Sequence, residues 1–179
     1  MGAGTEEERL AGTTFPGLYA TLARVHMETF GTTEGHMAAV AVKNHYHASL
    51  NPNAQFHNEL TVAQVMKSSC IADPLKLLDC SPISDGASAV VITTDKSKIL
   101  NPKSKKIEII ASVVATDTLG LAQRKSLTEL TATREAAKRA YQLAGVTPKD
   151  IDVAEVHDCF TIAEILAMED LGFFPKGKA

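Results

Sequence analysis

Ile151-Asp152-Val153-Ala154-Glu155-Val156-His157-Asp158-Cys159-Phe160 is the stretch on which the fold turns. Its apolar run, Ile151 to Val156, gives way to a helical pattern from Thr161 to Leu171. A strand that ends in His-Asp-Cys and opens a helix puts a thiol and an imidazole beside unpaired N–H groups, at the positive end of the helix dipole. A cysteine so placed is expected to have a lowered pKa, with a useful fraction of thiolate near neutral pH. Thr161 and Glu164 match a Thr-x-x-Glu capping box, which would fix the helix start close to Cys159. The plainer alternative is a buried strand end in which Cys159 packs as a small apolar residue.

Upstream, Pro148 to Asp152 leads into the strand Val153 to Val156. A helix capped by Thr131 or Thr133 runs to Leu143, with Ala136, Ala137, Ala140, Tyr141 and Leu143 as its packing face and Gly145 as its C′ residue. Asp117 to Thr131 has few periodic apolar positions and reads as a loop, and Asn101 to Lys106 as another. Ile107 to Thr116 is a long β-branched strand, and Ala87 to Thr93 an apolar one that follows the turn signal Ser84-Asp85-Gly86. Strand, helix, strand, helix in this order is a βαβ-type pattern, hence an α/β layered fold.

The first third is helical instead. Met1 to Gly12 reads as a flexible lead-in. Phe15-Pro16-Gly17 opens a helix whose apolar face is Leu18, Leu22, Val25, Met27 and Phe30, and Gly31 stops it. Thr32 or Thr33 caps a second helix with Met37, Val40, Ala41 and Ala48 near one side, and Thr61 a short third, Val62 to Ser68. From Asp73 to Pro82 the chain turns irregular.

Composition excludes several classes. With 45% hydrophobic and 22% charged residues the chain is globular rather than disordered. The net charge of −3 and the absence of a basic block interleaved with aromatics argue against nucleic acid. No apolar run reaches the ~20 residues of a membrane span. Cys70, Cys80 and Cys159 have no CxxC spacing and leave one unpaired in any disulfide scheme, which suits a reducing compartment. His45 and His47, two apart on a helix, point about 200° apart and cannot share one ion, so no metal is expected.

The tetrad His157-Asp158-Cys159-Phe160 resembles the HDCF motif of thiolases of the sterol-carrier-protein-x type and their bacterial and archaeal acetyl-CoA acetyltransferase relatives. Phe30-Gly31-Thr32-Thr33, Lys43-Asn44-His45-Tyr46-His47, Asn51-Pro52 through Gln55-Phe56, and Cys80-Ser81-Pro82-Ile83-Ser84-Asp85-Gly86-Ala87 resemble the same branch, in the same order. The match runs from about Thr13 to the C-terminus. The resemblance implies a partial thiolase-like fold: residues 1–79 a helical loop domain covering acyl-CoA, 80–105 the last strand and helix of the N-terminal half, 106–179 the first part of the C-terminal domain. Neither an N-terminal nucleophilic cysteine on a helix nor a later Gly-His-Pro motif is found, so the chain is expected to be an internal piece, inactive alone.

The resemblance also implies roles. Cys159 would exchange the α-proton of the acyl group as acid and base, and His157 would donate to the enolate oxygen, directly or through water. Ser81 would reach the pantetheine arm of coenzyme A, and His45 would contact coenzyme A. Read from the residues alone, Ser81 is equally a turn serine capping its own backbone, and His45 a surface or core histidine. Asp158 orients a neighbouring group or is structural, Phe160 packs, and Cys80 is structural. The implied reaction is thiolysis of 3-ketoacyl-CoA or acetoacetyl-CoA synthesis, with acyl-CoA as substrate and no permanently bound cofactor. The implied setting is a homo-oligomer, cytoplasmic or, in a eukaryote, peroxisomal. The alternatives are a retro-aldolase acting on steroid side-chain CoA thioesters, with a zinc-ribbon/OB partner, and a non-catalytic fragment that binds coenzyme A or another subunit.

Overall fold

The computed structural model describes residues 4–94 and 107–179. Six α-helices appear among them: α1 Glu6–Leu10, α2 Phe15–Phe30, α3 Glu34–Ser49, α4 Val62–Lys67, α5 Thr131–Ala144 and α6 Thr161–Asp170. A two-stranded antiparallel hairpin, β1 Cys70–Ala72 and β2 Leu75–Lys76, follows α4, and a 3-10 turn, Leu77–Asp79, follows the hairpin. None of the described helices is long and apolar enough to cross a membrane.

The centre is α6, whose residues from Thr161 to Ala167 are all buried. Ile162 and Leu166 are fully enclosed against Ala20, Leu22 and Ala23 of α2, Met37 of α3 and Leu75 of β2. Burying a side chain of this size stabilises by about 1.5–3 kcal/mol. A helix buried all round must have its charges answered. Glu169 accepts from His26 Nε2 at 3.1 Å and from the Gly177 N–H at 2.8 Å. Asp170 accepts from the Leu130 N–H at 2.6 Å and pairs with Lys176 at 2.8 Å. His26 is itself fully buried, with Thr32 Oγ1 2.8 Å from its Nδ1. Gly177 has φ +73°, and an added Cβ would come within 2.6 Å of the Phe30 side chain, so only glycine lets this strap close over α2 and α6.

The two long helices at the front stand as the sequence indicates. Thr14 caps α2 and Thr33 caps α3, while Gly31 sits in the left-handed region at φ 77° and ends α2. On α2 the buried stripe is Ala20, Leu22, Ala23 and His26; Leu18, Val25, Met27 and Phe30 are only half-buried.

Other expectations are corrected. The lead-in is not free: Glu6–Leu10 is helical, with a Thr5/Glu8 capping box, and Glu8 Oε1 accepts the Leu121 N–H at 2.7 Å. The supposedly irregular Asp73–Pro82 stretch contains β2 and the 3-10 turn, and Arg24 pairs with Asp73 at the hairpin bend. Neither Thr131 nor Thr133 caps α5; its N-cap is Leu130, held by Asp170, and Leu143 is exposed rather than packed. The segments expected as strands, 87–93, 107–116 and 153–156, form no paired strand among the described residues. A strand exists through its ladder to a neighbour. Val90, Val91, Ile107, Val114 and Val153 are all at least 79% exposed, so no such neighbour covers them here. Asn101–Lys106 and the helix expected in 80–105 beyond Thr94 lie outside the described residues.

Candidate active site

The tetrad is anchored by backbone pairing. Cys80 and Phe160 form an isolated antiparallel bridge, and the Ser81 N–H donates to the Cys159 carbonyl at 3.0 Å. That bridge lays the Cys80-Ser81-Pro82 segment beside the start of α6.

The helix start is not the one expected. Phe160 is the N-cap and offers no side-chain bond, and Thr161 is the first helical residue. Thr161 Oγ1 donates instead to Asp79 Oδ1 at 2.9 Å, in a buried contact 82 residues apart in sequence. Asp79 also accepts the Lys76 N–H at 3.0 Å, and burial still pushes its carboxyl above the usual range. Glu164, expected to complete a capping box, pairs with Lys43 at 2.7 Å and accepts from Asn44 Nδ2 at 2.9 Å.

Cys159 is half-buried beside an aromatic cluster in which the Tyr19 ring stacks on Phe160 at 4.5 Å and Phe15 lies 5.8 Å from Phe160. Its thiol is pushed up by burial, not lowered as the helix dipole suggests. The Tyr19 hydroxyl and the Phe160 N–H pull it down, and the charge of Asp158 pushes it up. Desolvation wins because a thiolate taken out of water loses more than a partial helix charge returns. Tyr19 is itself held protonated, chiefly by burial. The Cys80 thiol is raised to about 11, also chiefly by burial, and it donates to the Lys76 carbonyl at 3.3 Å, which fits a structural residue.

His157 and Asp158 are exposed. Asp158 Oδ2 accepts from Asn44 Nδ2 at 2.7 Å. His45, next along α3, has its Nδ1 3.0 Å from the Asn58 carbonyl oxygen; that contact makes Nδ1 the protonated nitrogen and leaves Nε2 to accept. Its ring lies nearly parallel to Phe56, with centroids 6.2 Å apart. Ser81 is exposed, and its contact to the tetrad is made by its backbone N–H.

His45 and Ser81 share one cleft of about 550 Å³, walled also by Asn44, Phe56, Leu78 and Asp158. Cys159 and His157 do not line it, whereas Asp158, between them in sequence, does. Asn44 and Tyr19 are residues that sequence reasoning missed. Asn44 lies inside the quoted Lys43-Asn44-His45 motif, but its partner is 114 residues away and leaves no local signal. Among the described residues, no group of three His, Cys, Asp or Glu side chains could hold a metal ion.

A family model described as thiolase C-terminal domain-like matches residues 113–179. The acetyl-CoA acetyltransferase of Methanothermobacter thermautotrophicus is 50% identical over 97% of this chain and 45% of its own length. Sterol carrier protein 2 of Rattus norvegicus is 37% identical over 91% of this chain and 30% of its own length. Benzoylsuccinyl-CoA thiolase subunit BbsB of Thauera aromatica is 37% identical over 96% and 44%. A solved structure, the Ltp2-ChsH2(DUF35) aldolase, superposes with a TM-score of 0.78 at 26% identity, covering 89% of this chain and 43% of that one. The chain thus spans less than half the length of these relatives. Residues 113–179 are thus thiolase C-terminal domain-like, and over most of its length the chain is similar in sequence and fold to proteins of the thiolase superfamily.

Proposed function

We propose that this chain supplies the coenzyme A cleft and the proton-transfer segment of an acyl-CoA C-acyltransferase of the thiolase type. The observation that carries the reading is the bridge from Ser81 N–H to the Cys159 carbonyl, because it fixes the cleft of His45 and Ser81 beside the tetrad. The cleft has the size and mixed apolar and polar lining of a small-molecule site. Residues 1–79 cover the acyl-CoA, and 80–105 and 106–179 belong to the two halves of the layered domain.

In this reading the pantetheine arm runs past the Ser81 hydroxyl, and His45 Nε2 accepts from the ligand. The Cys159 thiolate removes a proton from the carbon next to the thioester carbonyl, and the electron pair moves onto the carbonyl oxygen as an enolate. His157 donates to that oxygen. The enolate carbon attacks an acyl thioester, the carbon–sulfur bond of that thioester breaks, and the new carbon–carbon bond forms. In the reverse direction Cys159 returns the proton. Neither Cys70 nor Cys80 stands in the sequence context of the family's nucleophile, and in this reading neither carries the acyl group. The substrate is acyl-CoA, no permanently bound cofactor takes part, and the setting is a cytoplasmic homo-oligomer.

The test is exchange of the acetyl-CoA α-protons in heavy water by the protein made from its full reading frame. C159S should abolish exchange while acetyl transfer onto the enzyme persists, and H157A should slow exchange. Exchange by C159S within about twofold of the parent would overturn the assignment. The likeness to an aldolase structure favours a second reading, carbon–carbon cleavage of a 3-hydroxyacyl-CoA. That reaction needs no acyl-enzyme, so trapping of an acetyl group decides between the two.

A further inference from the structure

The carboxamide of Asn44 bridges two carboxylates with one NH₂ group, donating to Asp158 Oδ2 at 2.7 Å and to Glu164 Oε2 at 2.9 Å. We infer that Asn44 is a positioning residue that ties the His157–Cys159 turn to helix α3 and so sets the reacting groups relative to the coenzyme A cleft. This rests on the acyltransferase reading above. It adds a residue outside the tetrad and a reason for it.

Three features support the role. First, each amide hydrogen has its own charged acceptor, and hydrogen bonds to ionised groups are about twice as strong as neutral ones. Second, the two acceptors lie on opposite sides of Cys159, Asp158 before it and Glu164 one turn into α6, so the single amide spans the thiol's backbone. Third, His45 follows Asn44 on α3 and both line the cleft with Ser81. Ligand contact and proton transfer are therefore placed by adjacent residues of one helix.

An amide is also the side chain the site requires. Asp158 and Glu164 converge on one point, and aspartate there would add a third carboxylate with no donor. The other charged and titratable groups around the amide are Lys43, paired with Glu164 at 2.7 Å, and Asp79 and His45, which line the same cleft. His36 and Lys178 lie on the far side of Glu164. Lys43 answers Glu164 alone, so it cannot replace Asn44 at Asp158.

The experiment compares N44A, N44D and K43M in the protein from its full reading frame, by kcat, by KM for acetyl-CoA and by the pH dependence of Cys159 alkylation. Displacement of a reacting group by about 1 Å costs roughly 100-fold, so N44A should lower kcat by roughly 10- to 100-fold with KM little changed. N44D should lose as much near neutral pH and recover relative to the parent as pH falls, because protonating one of the three carboxyls restores an O–H donor. K43M, which removes a neighbouring contact to the same Glu164, should leave kcat within about threefold. Equal losses in N44A and K43M, a KM effect alone, or an N44D deficit independent of pH would each overturn the proposal. Should N44A fail to fold, the N44D pH profile decides alone. If the parent shows no proton exchange, the functional reading falls; the tether is then judged by whether N44A alters the pH dependence of Cys159 alkylation.

Discussion

Replacing Thr161 by valine isolates the contact that holds the start of α6. The substitution keeps the shape and removes one hydroxyl, the donor to Asp79 Oδ1 at 2.9 Å. Asp79 is 5% exposed, so water cannot replace that donor freely. A hydrogen bond to an ionised buried group contributes about 1.5–3 kcal/mol, and the loss at neutral pH should fall in that range. The loss should also depend on pH. Burial already raises the folded-state pKa of Asp79, so the folded state binds the proton more tightly than the unfolded one and stability falls as pH climbs through that window. Thr161 works against the rise; without it the folded pKa moves higher and the fall is deeper. Below the ordinary carboxylate range Asp79 is protonated in both states, and only a neutral contact of about 1 kcal/mol is at stake. Urea unfolding followed by circular dichroism at about pH 3 and pH 7 reads the difference. T161S keeps the donor and removes one buried methyl, so it should cost about 0.8 kcal/mol, the same amount at both pH values. A T161V deficit that is the same at both pH values, or larger in acid, would refute the argument.

Two further outcomes are expected. Alkylation of Cys159 should speed up only as pH rises through a value above the ordinary thiol range, and Y19F should move that midpoint higher still, since the Tyr19 hydroxyl pulls it down. An unchanged midpoint in Y19F would remove Tyr19 from the site. Leu166 is fully enclosed in the main core, so L166A should cost about 2–5 kcal/mol by urea unfolding; a cost below about 1 kcal/mol would show that α6 is not the centre of the packing.

What could be read in the chain, and what could not, follows from the range of each interaction. Pro16, Thr33 and Gly31 act within one helical turn, and the start and end of α2 and the start of α3 stand where those residues indicate. His45 and Ser81 came from motif resemblance rather than from spacing, and the fold places both on one cleft. The Thr161/Glu164 box is legible and does not form, because Asp79 and Asn44 offer those side chains partners 82 and 120 residues away, the first of them buried. Tertiary contacts of that kind leave no periodicity to read. The β-branched composition of segments 87–93 and 107–116 measures how well these residues suit a pleated surface and says nothing of whether a neighbouring strand is present.

The direction of the Cys159 shift shows the same limit in the chemistry. A cysteine at a helix start suggests a lowered pKa, and the local ingredient is present: the Phe160 N–H does pull the thiol down. Burial outweighs it, and the cover comes from elsewhere, from α2, where Tyr19 stacks on Phe160 and Phe15 lies tilted beside it. Asp158 pushes the thiol further up, and the position of that charge is held by Asn44 of α3. The proton affinity of the thiol is therefore set by α2 and α3 more than by the helix whose start it occupies. Within the proposed reaction, a thiol tuned upward suits a group that must hand a proton back rather than one that must stay ionised to carry an acyl chain. Changes at Tyr19 or Asn44 should thus shift the pH dependence of proton transfer while leaving the tetrad itself intact.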